Sequence, residues 1–116
     1  MGKASRDKGA RVERLMVNMH KSAGILAERV PLSGAVRGQR AGDGHDIDVY
    51  TDRNGDAPLC GEIKARKELP KWQAEALGDN DFLILKGDRQ GPTVTVPWHI
   101  WIKLLGGSTN EPDNTR

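Results

Sequence analysis

The sequence of 116 residues holds one cysteine, Cys60. That count excludes an internal disulfide and any zinc site built from several cysteines. Long apolar runs are also missing: none approaches the ~20 residues that a membrane-spanning helix needs. Met1 to Lys8 is charged and no apolar stretch follows it, so no signal peptide is expected and the expected compartment is the cytoplasm. Of the three histidines, His20, His45 and His99, none has a second histidine at a metal-ligand spacing, and all three are read as non-catalytic. No internal repeat is visible.

The hydrophobic share is 36% and the mean hydropathy is −0.62. A chain of this length and composition supports one domain with a modest core, which dimerisation would enlarge. The net charge of +2 conceals an asymmetry. Residues 1–41 carry nine Lys/Arg and three Asp/Glu, a net +6, whereas residues 42–116 carry nine and thirteen, a net −4. A basic N-terminal third points to contacts with phosphates, and acids gathered in a site facing nucleic acid imply a bound cation.

The acids concentrate between His45 and Arg66. Two strand-like runs there flank Asn54-Gly55, a strong hairpin signal. Side chains alternate along a strand, so Asp46 and Asp48 share one face and Ile47 and Val49 the other, while Glu62 and Lys64 point together. A two-residue turn at Asn54-Gly55 would set Asp46 opposite Ile63. A three-residue loop, Arg53-Asn54-Gly55 with Gly55 in the left-handed position, sets Asp46 opposite Glu62 and is the favoured register. A competing register sets Asp48 opposite Glu62. Two facing carboxylates repel by about 4 kcal/mol at 4 Å and an effective dielectric near 20. A hard divalent cation with oxygen ligands relieves that repulsion, and Mg²⁺ is the usual choice beside phosphates.

Around the hairpin, Gly9 to Ala23 reads as an amphipathic helix with Val12, Leu15, Met16, Met19 and Ala23 on its apolar stripe, closed by Gly24. Glu13 lies on the flank of the stripe, and Arg11 and Arg14 point away from it. Ala27 to Val30 is a short strand stopped by Pro31. The glycine-rich segment from Pro31 to Gly44, with Ser33, Arg37 and Arg40, is either a loop closing over a nucleic-acid strand or a simple connector. Leu69 to Leu77 is a helix with Leu69, Trp72 and Ala76 toward the sheet. Phe82 to Leu85 is a buried strand, turned by Gly87 to Pro92 into a second one, Thr93 to Val96. Pro97 starts a last helix whose Trp98, Trp101, Ile102 and Leu105 form one face.

The resulting order is α-β-β-β-α-β-β-α. The crossover makes the third and fourth strands parallel, which gives an α/β fold, a small mixed β-sheet flanked by helices. Residues 1–8 form a basic N-terminal arm, residues 9–105 the domain, and residues 106–116 a polar, aperiodic tail expected to be disordered.

At Asp46 and Glu62-Ile63-Lys64 the chain resembles the PD-(D/E)xK nuclease superfamily. With Lys8-Gly9, Glu13-Arg14 and Arg29-Val30-Pro31-Leu32-Ser33-Gly34 in order before the hairpin, it is similar to the archaeal and phage-type Holliday junction resolvases. The resemblance spans roughly Lys8 to Leu105; the family's proline before the aspartate is His45 here. It implies a restriction-endonuclease-like core and a homodimeric, metal-dependent endonuclease cutting phosphodiester bonds in DNA, most readily four-way junctions. Asp46, Glu62 and the Ile63 carbonyl would hold Mg²⁺, with Mn²⁺ substituting, and Asp48 is a further candidate ligand. Lys64 would orient water or stabilise phosphate charge, with Glu13 and Ser33 assisting. Lys8, Arg11, Arg14, Arg29, Arg37, Arg40, Arg66 and Lys67 would contact DNA. Flap or duplex DNA as substrate, and a non-cleaving DNA-binding module, are the alternatives.

Overall fold

The computed structural model describes residues 3–30 and 44–108. Helix α1 (Lys3–Ser22) is followed by β1 (Ala27–Arg29), β2 (Ile47–Val49), a 3₁₀ turn (Asp52–Asn54) and β3 (Leu59–Gly61). Then come α2 (Lys71–Leu77), β4 (Leu83–Leu85), β5 (Thr93–Thr95) and α3 (Trp98–Leu104). The protein is thus a small α/β protein in the expected element order. α1 begins at Lys3, so the segment read as a basic arm continues the first helix.

The strands do not form one mixed sheet. β1, β2 and β3 make an antiparallel sheet in that order, and β4 and β5 make a separate antiparallel pair. Two local features account for the difference from the expected parallel crossover. The Gly87–Pro92 turn lets β4 fold directly onto β5, pairing Ile84 with Val94. After Gly61, residues 62–66 have no strand ladder among the described residues, so β3 stays the edge of its sheet.

The core lies on one face of the first sheet. Ala27, Ile47 and Val49 bury their side chains against Val17 and Ile25 and against Ile102 and Leu105 of the α3 region. Ile102 has no exposed surface. The α1 stripe is rotated from the expected one, because Val17 and His20 are buried and Leu15 is exposed. His20 is accommodated by polar partners at both nitrogens. Its Nδ1 meets the Met16 carbonyl at 2.8 Å, and the Trp101 indole N–H donates to its Nε2 at 2.9 Å. An indole N–H can only donate, so His20 is neutral with its proton on Nδ1. Burial also pushes its pKa below the ordinary value, an effect partly offset by the Met16 bond. The His20 ring stands edge-on to Trp98 at 4.8 Å between centroids.

The second sheet is much less covered. Leu69, Trp72, Phe82, Ile84 and Val94 are all more than half exposed, contrary to the expected burial of Phe82 to Leu85, although Trp72 lies toward the hairpin beside Leu85 and Thr93 as expected. α2 lies against the Thr95 side of the hairpin, where Gln73 Nε2 donates to Thr95 Oγ1 at 3.4 Å, so Phe82, Ile84 and Val94 share the opposite, open face.

Gly106 to Ser108, expected as the start of a disordered tail, are ordered by hydrogen bonds. The Gly107 amide donates to the Ile102 carbonyl at 2.9 Å, and the Ser108 amide to the Ala23 carbonyl at 3.0 Å. A Cβ at residue 107 would lie 2.8 Å from the Ala23 carbonyl oxygen and 2.7 Å from Ile25 Cδ1, so only glycine allows this close approach. Residues 109–116 lie outside the described residues. None of the described helices is long and apolar enough to cross a membrane.

Candidate active site

β2 and β3 pair Ile47 with Gly61, Asp48 with Cys60 and Val49 with Leu59. Over these three pairs it is the favoured register, and it excludes Asp48 opposite Glu62; the ladder ends at Ile47 and Gly61, before Asp46. The connection differs from the expected three-residue loop. Strand pairing stops at Val49 and Leu59, and the intervening chain forms the 3₁₀ turn, with the Thr51 hydroxyl accepting the Arg53 amide at 3.2 Å. Gly55 follows that turn at φ +67°, as a residue without a Cβ can.

At Asp46 the ladder gives way to an irregular step. The Asp46 amide donates to the Gly61 carbonyl at 2.8 Å although Gly61 pairs with Ile47. Two residues of one strand then face one of the other, the arrangement of a β-bulge, which re-aims side chains at the end of a strand. The Asp46 carboxylate is aimed at β3's continuation, and its Oδ2 accepts the Ile63 amide at 2.7 Å. Beside it, Lys64 Nζ lies 2.9 Å from Glu62 Oε2. The hydrogen bond that Lys64 donates to Glu62 holds its ammonium above the usual lysine range, and the Glu62 and Asp46 charges add to it. Asp46, Glu62, Ile63 and Lys64 therefore meet at one end of the β2–β3 pair. Asp46 Oδ2 is engaged by the Ile63 amide and Glu62 Oε2 by Lys64.

The other residues fall into separate groups. Glu13 is half-buried against Arg29, whose Nε and Nη2 donate to its Oε1 at 3.2 and 3.0 Å. Arg29 pairs with Ile47, so it stands on the helix-facing side of the sheet and answers Glu13 there. Asp48 is not joined to the Asp46 group. His45 Nε2 lies 2.7 Å from Asp48 Oδ1, and Glu28 and Cys60 face Asp48 from the strands on either side. Glu28 accepts the Tyr50 hydroxyl at 2.9 Å; that bond, then burial and the charges of Glu28, Asp48 and Cys60, push the Tyr50 phenol up. Lys8, Arg11, Arg14, Arg66 and Lys67 are exposed. Ser33, Arg37 and Arg40 lie outside the described residues.

The grouping of His45, Asp48 and Cys60 escapes a reading by linear spacing, which sets His45 aside for want of a second histidine. The signal was present in the strand register itself, since Asp46 opposite Glu62 also puts Asp48 opposite Cys60. Comparisons with protein-family models, with curated proteins and with solved structures find no match for this chain.

Proposed function

We propose that the protein is a metal-dependent, structure-specific DNA endonuclease of the PD-(D/E)xK type, working as a homodimer in the cytoplasm with four-way junctions as its substrate. The observation that carries this reading is the bond from the Ile63 amide to Asp46 Oδ2, which ties the lone aspartate to the Glu62-Ile63-Lys64 run across the strand pair. Acids facing phosphates oppose DNA binding unless a cation intervenes, so a set of two carboxylates and one lysine is better suited to cutting than to mere binding.

Asp46, Glu62 and the Ile63 carbonyl would hold Mg²⁺ or Mn²⁺. A cation so held polarises a phosphodiester and lowers the pKa of water at neutral pH. Lys64 remains an ammonium throughout the neutral range, as the raised pKa requires, and places a point charge beside the two carboxylates. It orients the attacking water or offsets negative charge building on the phosphate. Glu13, tied to Arg29, acts in this reading by positioning the entry to β2 and not by direct contact with substrate. Lys8, Arg11, Arg14, Arg66 and Lys67 supply phosphate contacts, with Arg37, Arg40 and Ser33 in the segment between β1 and β2.

The homodimer is supported by the open face of Phe82, Ile84 and Val94. A two-stranded hairpin is marginally stable alone in water, and a second copy would cover it. Two sites related by a dyad suit paired incisions in a branched substrate. The test is cleavage of a panel of four-way, flap and linear duplex DNAs with Mg²⁺ or Mn²⁺. Cleavage of the junction above the linear duplex supports the reading; binding without cleavage under every metal overturns it in favour of a non-cleaving module.

A further inference from the structure

A second cluster with different chemistry stands on the same strands. One nitrogen, one carboxylate oxygen and one sulfur, from His45, Asp48 and Cys60, all lie within 4.8 Å of one another. Their convergence follows from the sheet. The Val30 amide donates to Asp46 and the Tyr50 amide to Leu26, so the even residues of β2 bond toward β1 and the odd ones toward β3. Asp48 and Cys60 are then a non-hydrogen-bonded antiparallel pair, the kind whose side chains approach most closely. His45 precedes Asp48 by three residues, and the step in the chain at Asp46 returns it onto the strand, 2.7 Å from Asp48 Oδ1.

We propose that His45, Asp48 and Cys60 form a binding site for a thiophilic divalent transition metal of the Zn²⁺ class. Nitrogen, sulfur and carboxylate oxygen are the three ligand types that Zn²⁺ takes, with bonds of about 2.0–2.3 Å. Tetrahedral ligands at those bond lengths stand roughly 3.5 Å apart. The His45–Asp48 contact must open slightly to reach that spacing, and Cys60, exposed at the strand surface, must close on it. Binding releases the Cys60 thiol proton to solvent and moves the His45 proton to Nδ1, leaving Nε2 to coordinate. Three protein ligands leave a fourth position open to water. The carboxylate of Glu28 faces Asp48 from β1 and makes the surroundings more anionic, which favours a cation.

This chemistry differs from that at Asp46 and Glu62. A thiolate and an imidazole select softer metals, whereas an all-oxygen set suits Mg²⁺. The proposal therefore does not rest on the nuclease reading. A metal here would pin β2 to β3 two residues along the strand from Asp46.

The experiment is titration of the full chain with Co²⁺, read by thiolate-to-cobalt charge-transfer absorption, and with Zn²⁺, read by calorimetry. One equivalent of Co²⁺ should raise the charge-transfer band. Cys60→Ser should abolish the band, and Cys60→Ser and His45→Ala should each weaken Zn²⁺ by at least about tenfold, since loss even of a residue that only supports a ligand costs 10–100-fold. Asp46→Asn and Glu62→Gln should leave the band in place. The absence of a band, or Zn²⁺ affinity unchanged in Cys60→Ser, overturns the proposal. So does loss of Zn²⁺ binding in Asp46→Asn with Cys60→Ser unaffected, which would put the metal at the other cluster. Circular dichroism of each variant separates lost ligands from lost folding.

Discussion

Asp46 reaches across the strand pair to Ile63, its Oδ2 accepting the Ile63 amide at 2.7 Å, while Asp48, on the same strand, is held by His45. Asparagine at residue 46 can still accept that amide through its side-chain oxygen but carries no charge. Asp46→Asn should therefore fold and bind DNA yet lose Mg²⁺-dependent cleavage, whereas Asp48→Asn should keep measurable activity. Cleavage assays on both variants, with Mg²⁺ affinity measured beside them, check this. The reverse pattern would move the aspartate of the site to Asp48.

The register behind that prediction was legible in the sequence because alternation and a glycine-bearing turn constrain a hairpin strongly. So were the element order and the α3 face of Trp98, Trp101, Ile102 and Leu105, since a short periodic run after a proline has few other readings. The joining of the sheets was not legible. Whether β4 pairs with β3 or β5 depends on contacts across many residues, and a buried strand and an exposed apolar hairpin look alike in composition. His20 was missed as a core residue because its burial depends on Trp101, a partner 81 residues away. The bulge at Asp46 leaves no mark in the local sequence.

His20 predicts a pH dependence. Its folded pKa lies below the unfolded value of 6.5, so the unfolded chain binds more protons in the interval between them. Its contribution to stability is complete above pH 6.5 and is lost as the pH falls toward the folded pKa. Urea midpoints should fall between pH 7.5 and pH 5, and the fall should shrink in His20→Gln relative to the parent. Trp101→Phe removes the donor to Nε2 and should cost about 1–3 kcal/mol at neutral pH. An identical pH slope in His20→Gln would show that other groups govern the acid limb.

Gly107 marks the docked end of the α3 region. Gly107→Ala forces a Cβ against the Ala23 carbonyl and the Ile25 and Ile102 side chains, and should cost about 1–3 kcal/mol as overpacking does. Denaturant unfolding measures it. A neutral effect would mean that the segment after Leu105 makes no stabilising contact with the α1–β1 connection.

The open face of Phe82, Ile84 and Val94 predicts self-association. Sedimentation equilibrium should give a dimer, and Ile84→Glu should shift it to monomer while leaving the α1, β1–β3 and α3 core folded. A parent chain that is monomeric at high micromolar concentration would contradict the dimer.

The central claim, that Asp46, Glu62 and Lys64 form a cutting site, is tested most directly by single-turnover cleavage of a labelled four-way junction by the parent chain and by Glu62→Gln. The parent should cut only with Mg²⁺ or Mn²⁺, and Glu62→Gln should bind the junction as tightly or more tightly while cutting is abolished, because one change removes a metal ligand and a negative charge facing phosphate. Near-parental turnover in Glu62→Gln, or metal-independent cleavage by both, would contradict the account.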